Sequence, residues 1–165
     1  MLDARALIIK HKAKGVLVDA NLLVLFLVGL INKRRIPEFK RTQNFTIEDF
    51  DLLERLIAWF GKLVATPHVL SQVSDLTDLR GTERGQIREL FKLLVEGQIE
   101  ETYDRSSLLV AHPTFKEHGL TDASVATISS RGILVPTADV NLQRELQRRN
   151  ADALDFNHVR PLGWN

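Results

Sequence analysis

The chain has 165 residues, a length at which one domain buries a hydrophobic core without staples. Apolar residues at 44% and charged residues at 26% exclude a largely disordered chain, and a net charge of +1 leaves any nucleic-acid affinity to local clustering. The absence of cysteine excludes disulfides and thiol nucleophiles, fits a reducing cytoplasm, and restricts any metal to oxygen or imidazole ligands.

Residues 1–14 mix Asp3, Arg5 and Lys10 into an apolar segment, so no secretory leader is expected. They read as an N-terminal extension to a core spanning 15–161. Gly15-Val16-Leu17-Val18 has the form of a strand buried on both faces, which puts Asp19 at its carboxyl end. The helix predicted over Asn21 to Ile31 is apolar almost all round, and its apolar run falls short of the roughly 20 residues that cross a bilayer. No membrane association is expected. Arg34 to Asn44 reads as a basic loop, and Thr46 as the cap of a helix whose apolar face is Ile47, Phe50, Leu53, Leu56, Ile57 and Phe60.

Leu63-Val64-Ala65 repeats the strand form and feeds Thr66-Pro67, a cap followed by a first-turn proline. Glu83 to Glu96 predicts another helix and Ile99 to Tyr103 a further strand. Ser106 to Ala111 reads as a short helix, and Thr121 as the cap of a helix from Asp122 to Ser130. Ile133-Leu134-Val135 is expected to be a third buried strand, Val140 to Asn150 an arginine-rich helix, and Ala153 to Phe156 the last strand. Strands alternating with helices imply a parallel sheet whose ligand site lies outside the carboxyl ends of the strands.

Asp19 and Asp139 each follow a buried strand and Asp122 starts a helix, so one edge of the sheet can gather all three. Gathered carboxylates repel one another unless a divalent cation neutralises them, and all-oxygen ligation points to Mg²⁺ or Mn²⁺. The competing reading is that each aspartate simply caps a helix.

Four motifs come in order: Val18-Asp19-Ala20-Asn21, Thr66-Pro67-His68-Val69-Leu70, Gly119-Leu120-Thr121-Asp122-Ala123-Ser124, and Thr137-Ala138-Asp139-Val140-Asn141-Leu142. Together with the closing Leu154-Asp155-Phe156-Asn157-His158-Val159-Arg160-Pro161, they resemble the PIN-domain family over nearly the whole chain. The resemblance implies a three-layer α/β/α sandwich around a mostly parallel sheet. It also implies an endoribonuclease that binds RNA and holds Mg²⁺ or Mn²⁺ on three or four acids, with no protein nucleophile. Asp19, Asp122 and Asp139 take the metal-binding roles, and Asn21 and Thr137 become polar neighbours that orient ligands or water.

The chain departs from the family's pattern on the helix after Thr66-Pro67, where an expected glutamate is the neutral Gln72. Asp75, one turn further on, and Glu117, close before Asp122, are alternative fourth acids; the third alternative is a site of three acids, weakened or inactive. The chain then reads either as a ribonuclease, of the kind that in many bacterial relatives is a toxin restrained by an antitoxin, or as a PIN-fold RNA- or protein-binding module. Relatives that dimerise make a homodimer a further expectation.

Lys33, Arg34, Arg35, Lys40 and Arg41 form a basic cluster suited to RNA phosphates, and Arg144, Arg148 and Arg149 form a second. The bland reading of both is a solvated surface. His112 and His118 fit no zinc signature and read as structural or surface residues, while Trp59 and Phe60 read as core. A phosphoaspartate enzyme would need a second aspartate where Asn21 stands, and no glycine-rich phosphate loop is present.

Overall fold

Val16–Leu17 (β1), Leu63–Ala65 (β2) and Ile99–Glu101 (β3) form a parallel three-stranded sheet with β2 in the middle. Val135–Thr137 (β4) and Ala153–Asp155 (β5) form a parallel pair. The computed structural model describes residues 3–160; Pro161, the end of the terminal motif, lies outside the described residues. An isolated parallel bridge, Val16 to Leu134, joins the two sheets, reinforced by the Leu17 amide on the Leu134 carbonyl (2.9 Å) and the Asp19 amide on the Pro136 carbonyl (3.2 Å). The strands therefore lie in the order β3-β2-β1-β4-β5.

Proline explains why this junction is a single bridge. A residue's N–H and C=O point to the same neighbouring strand, and Pro136, whose carbonyl serves β1, has no N–H to return. The expected third strand accordingly sits two residues later than Ile133–Val135, because Leu134 is spent on the bridge and the ladder with β5 begins at Val135.

Helices fill the connections: Ala20–Ile31 (α2), Ile47–Trp59 (α3), Pro67–Leu76 (α4), Thr82–Gly97 (α5), Ser106–Leu109 (α6), Pro113–Ser129 (α7), Val140–Arg148 (α8) and Phe156–Val159 (α9). α2 is buried from Leu22 to Gly29 and packs on α3, α4 and α5, which accounts for its uninterrupted apolar sequence. α3 starts with a capping box, in which Thr46 and Asp49 satisfy each other's backbone amides. None of the described helices is long and apolar enough to cross a membrane.

Two expectations are corrected, and the segment read as an extension contains a helix, Ala4–His11 (α1), that buries Leu7, Ile8 and His11. The His11 ring bridges the Gly132 carbonyl and Asp152, each at 2.7 Å, which ties α1 to the segments flanking β4 and β5. The helix expected to be capped by Thr121 instead begins at Pro113 and is broken at Gly119, whose φ of 87° is a conformation glycine adopts without strain. Phe60 is core but Trp59 is 53% exposed under the Lys12 ammonium: α3 ends at Trp59, and Phe60 follows as its extended C-cap and turns inward.

At Gly29 the Phe50 ring of α3 lies against the α2 backbone: a Cβ there would stand 2.1 Å from Phe50 Cδ2, and Phe50 is fully enclosed and stacked on Phe26. Gly29→Ala should therefore destabilise the fold by about 2 kcal/mol or more through overpacking. Urea unfolding checks this, and a variant as stable as the parent would contradict the packing described.

Candidate metal centre

The chain order changes direction between β1 and β4. β1 leads outward to β2 and β3, after which the chain returns to place β4 and β5 on the other side. Such a switch point leaves a crevice beyond the carboxyl ends of the strands. Asp19 leaves β1 there, and Thr137-Ala138-Asp139 leave β4 there.

Local hydrogen bonds hold the first two acids. Asp19 is buried; one carboxylate oxygen accepts from the Ala20 amide and the other from the Thr137 hydroxyl, both at 2.7 Å. Thr137 Oγ1 in turn accepts from the Asp139 amide at 2.9 Å. Asp139 is exposed and caps α8, with Oδ1 accepting from the amides of Asn141 (2.8 Å) and Leu142 (3.2 Å). The capping reading describes Asp19 and Asp139 but not Asp122, which lies within α7; capping leaves each of the two carboxylates lone pairs for a further partner.

Asp122 arrives on α7. Ser124, two residues on, gives its hydroxyl proton to the Thr121 carbonyl at 2.6 Å and meets Thr66 Oγ1 at 2.9 Å, which fastens this part of α7 beside the end of β2. The Thr66 hydroxyl also caps α4 through the Val69 amide.

Electrostatics links the three acids. Burial pushes the Asp19 carboxyl above its ordinary range; the Thr137 and Ala20 hydrogen bonds oppose the rise and the charge of Asp139 adds to it. Asp122 is pushed up to about 6, chiefly by burial and then by the charges of Asp19 and Asp139, with His118 opposing. Burial is the larger cause at both, and the neighbouring carboxylate charges add to it. The donor set is all oxygen and hard, which suits Mg²⁺ or Mn²⁺.

Other expected site residues are placed differently. Asn21 is exposed in the first turn of α2. Gln72 and Asp75 are exposed on α4, and neither Asp75 nor Glu117 is among the charges acting on Asp122. The first basic cluster is largely occupied: Lys33 pairs with Asp51, Arg35 with Glu38 and Glu83, and Lys40 and Arg41 face Asp78. Only Arg34 of the five has no ion pair among the described residues. In the second cluster, Arg148 and Arg149 both bind Glu145.

His118 is the neighbour that sequence reasoning passed over. Its Nδ1 lies 3.8 Å from Asp122 Oδ2, and its Nε2 lies 3.9 Å from both Glu145 Oε2 and Glu117 Oε2. Among the described residues, Glu117, His118 and Glu145 are the one set of three potential ligands whose atoms fall within 4.8 Å of one another. The informative spacing was the four residues from His118 to Asp122 rather than the six from His112. His112 is instead the cap of α7, its Nδ1 accepting from the Thr114 amide.

Glu145 behaves oppositely to Asp122. Burial raises its carboxyl, but hydrogen bonds from Thr114, Arg149 and Arg148 outweigh burial and hold it down at about 2. No protein-family model matches the chain, and a search of curated proteins finds no match.

The two acids predict opposite pH behaviour. A folded value near 6 for Asp122, above the ordinary 3.8, means that its stability contribution is complete below about pH 4 and is lost as pH rises through 6. In metal-free protein at pH 7, Asp122→Asn should raise Tm by about 3 °C, corresponding to roughly 1 kcal/mol once solvent screening is discounted. The gain should vanish by pH 4, as followed by circular dichroism melts in chelator. Glu145→Gln, which leaves two arginines facing a neutral amide, should cost about 3 kcal/mol at pH 7 by urea unfolding. That loss should shrink between about pH 4.5 and 2, where the parent carboxylate takes up its own proton.

Proposed function

We propose that the chain is a metal-dependent endoribonuclease of the PIN type, folded as a three-layer α/β/α sandwich around its parallel sheet. One observation carries the reading: Asp19 leaves β1 and Asp139 leaves β4 at the switch point of the sheet, joined through the Thr137 hydroxyl, and both add their charge to the effect of burial on Asp122 of α7. Carboxylates from three separate elements within electrostatic range of one another fit a cation site.

When bound, a divalent cation lowers the pKa of the attacking water and offsets charge on the departing oxygen. The protein's contribution is positioning. Thr137 donates to Asp19, aims that carboxylate and opposes the rise that burial imposes on it, the Asp139 amide holds Thr137 in place, and Asp122 comes from α7. Asn21 presents an amide on the solvent side beside Asp19, where it can orient the RNA phosphate or the water. The phosphodiester is then cleaved by water without a covalent enzyme intermediate.

A second reading, a PIN-fold module that binds RNA or protein without cleaving, is favoured by the neutral Gln72 and by the absence of a fourth carboxylate among the charges on Asp122. Incubating purified protein with structured and unstructured RNAs in Mn²⁺ separates the two. The nuclease reading expects cleavage that chelation stops, that added Mn²⁺ restores, and that Asp19→Asn lowers at least about a hundredfold. Cleavage indifferent to Asp19→Asn would sink it; RNA binding with no cleavage would select the second reading.

A further inference from the structure

A second cavity lies at the other edge of the sheet. Gly132 comes just before β4 and Asp152 directly before β5, so both stand at the amino ends of these strands, whereas Asp19 and Asp139 lie beyond carboxyl ends. With Lys10 of α1, Lys14, Ser129 at the end of α7 and Arg149 after α8, they line a space of about 300 Å³, the lower end of the size that takes a small molecule.

The lining holds hydrogen-bonding groups that the protein leaves unused. Ser129 is only 3% exposed, yet its hydroxyl has no hydrogen-bond partner among the described residues, an uncommon state for a buried polar group. Arg149 spends its Nε on Thr114 and Glu145, and its two terminal nitrogens have no partner among the described residues. The Lys14 ammonium has none there either; it lies against Gly132, where a Cβ would stand 2.7 Å from Nζ. The missing side chain at Gly132 is what lets the ammonium lie against the backbone there. Asp152 contributes an acceptor: Lys10 Nζ and His11 Nε2 both meet its Oδ2, each at 2.7 Å, and Oδ1 has no partner among the described residues.

Unspent donors from three elements around one space call for an anion. Lys10 offsets Asp152, and Glu145 is shared by two arginines, so Lys14 and Arg149 leave the lining net positive. A guanidinium fork and an ammonium are the donors that phosphate takes. The open Asp152 oxygen selects among anions: it repels one without a proton, such as sulfate, and accepts from one that carries a hydroxyl, as monohydrogen phosphate does. We propose that this cavity is a phosphate site, in which Lys14, Arg149 and Ser129 donate to the anion and Asp152 Oδ1 accepts from a hydroxyl of the ligand. The same chemistry serves free phosphate and a phosphate monoester whose sugar supplies the hydroxyl. The site is separate from the aspartate crevice and stands whether or not the chain cleaves RNA.

The test is a titration of the full chain with inorganic phosphate at pH 7 in chelator, followed by the amide resonances of Gly132 and Asn150 on the cavity wall. Saturable shifts with a dissociation constant of about 1 mM or tighter are expected, with sulfate at least about tenfold weaker. Lys14→Ala should weaken phosphate at least about tenfold. Ser129→Ala should weaken it about fivefold without loss of stability to urea, because the hydroxyl has no partner in the free protein. Lys92→Ala, which removes an exposed lysine of α5, should bind as the parent does. A nucleoside 5′-monophosphate that binds more tightly than inorganic phosphate identifies the esterified anion as the ligand; one that binds no better identifies the free anion. Shifts that do not saturate by about 10 mM phosphate, equal binding of sulfate, or affinity that survives both Lys14→Ala and Ser129→Ala overturns the site.

Discussion

The Thr137 hydroxyl, donating to Asp19 and accepting from the Asp139 amide, is the contact on which the rest of the crevice depends. It crosses from β4 to β1 just above Pro136, where the backbone ladder between the two halves of the sheet has lost a donor. A side-chain bridge therefore continues the connection that the main chain breaks off. It also has an electrostatic role, since a hydrogen bond to the charged form is what offsets burial at Asp19. The same atom pair positions Asp19 and opposes the rise that burial imposes on its carboxyl.

Around that bridge the protein maintains two acidic environments within one histidine's reach. Glu145 is surrounded by donors and stays ionised despite burial, whereas Asp122 resists ionisation chiefly because it is buried, with the charges of Asp19 and Asp139 adding to the effect. The contrast follows from which helix supplies the neighbours. Arg148 and Arg149 lie one turn from Glu145 on α8, the favourable i,i+3 and i,i+4 relation, while Asp122 meets the charges of Asp19 and Asp139 across the tertiary structure and has only His118 nearby on its own helix. His118 lies within 4 Å of a carboxylate oxygen of each, and Arg148 and Arg149 bind Glu145.

Much of the fold was legible. The alternation of short apolar runs with amphipathic segments located β1, β2 and the helices that follow them, because burial on both faces demands uninterrupted Val, Leu and Ile. Caps at Thr46 and Thr66 were readable for a local reason: the hydroxyl and the amide it serves are three residues apart. Less legible were features whose partners are remote. α1 is held by His11 acting on Gly132 and Asp152, more than 120 residues away, so nothing in residues 1–14 announces it. Trp59 and Phe60 have similar composition signals, and only the termination of α3 decides which turns inward.

The sequence by itself determined that Asp19 and Asp139 would fall beyond the carboxyl ends of strands, since Asp19 directly follows Val16-Leu17-Val18 and Asp139 comes shortly after Ile133-Leu134-Val135, apolar runs that have no alternative to burial. Only the tertiary structure decided what surrounds them. It brought Asp122 into electrostatic range of both, paired most of the first basic cluster with acids such as Asp51, Glu83 and Asp78, left Gln72 and Asp75 on the exposed face of α4, and set His118 beside Asp122. The reason is that strand burial and helix capping are satisfied by neighbours along the chain. Charge compensation depends on distances between elements that the chain order does not specify.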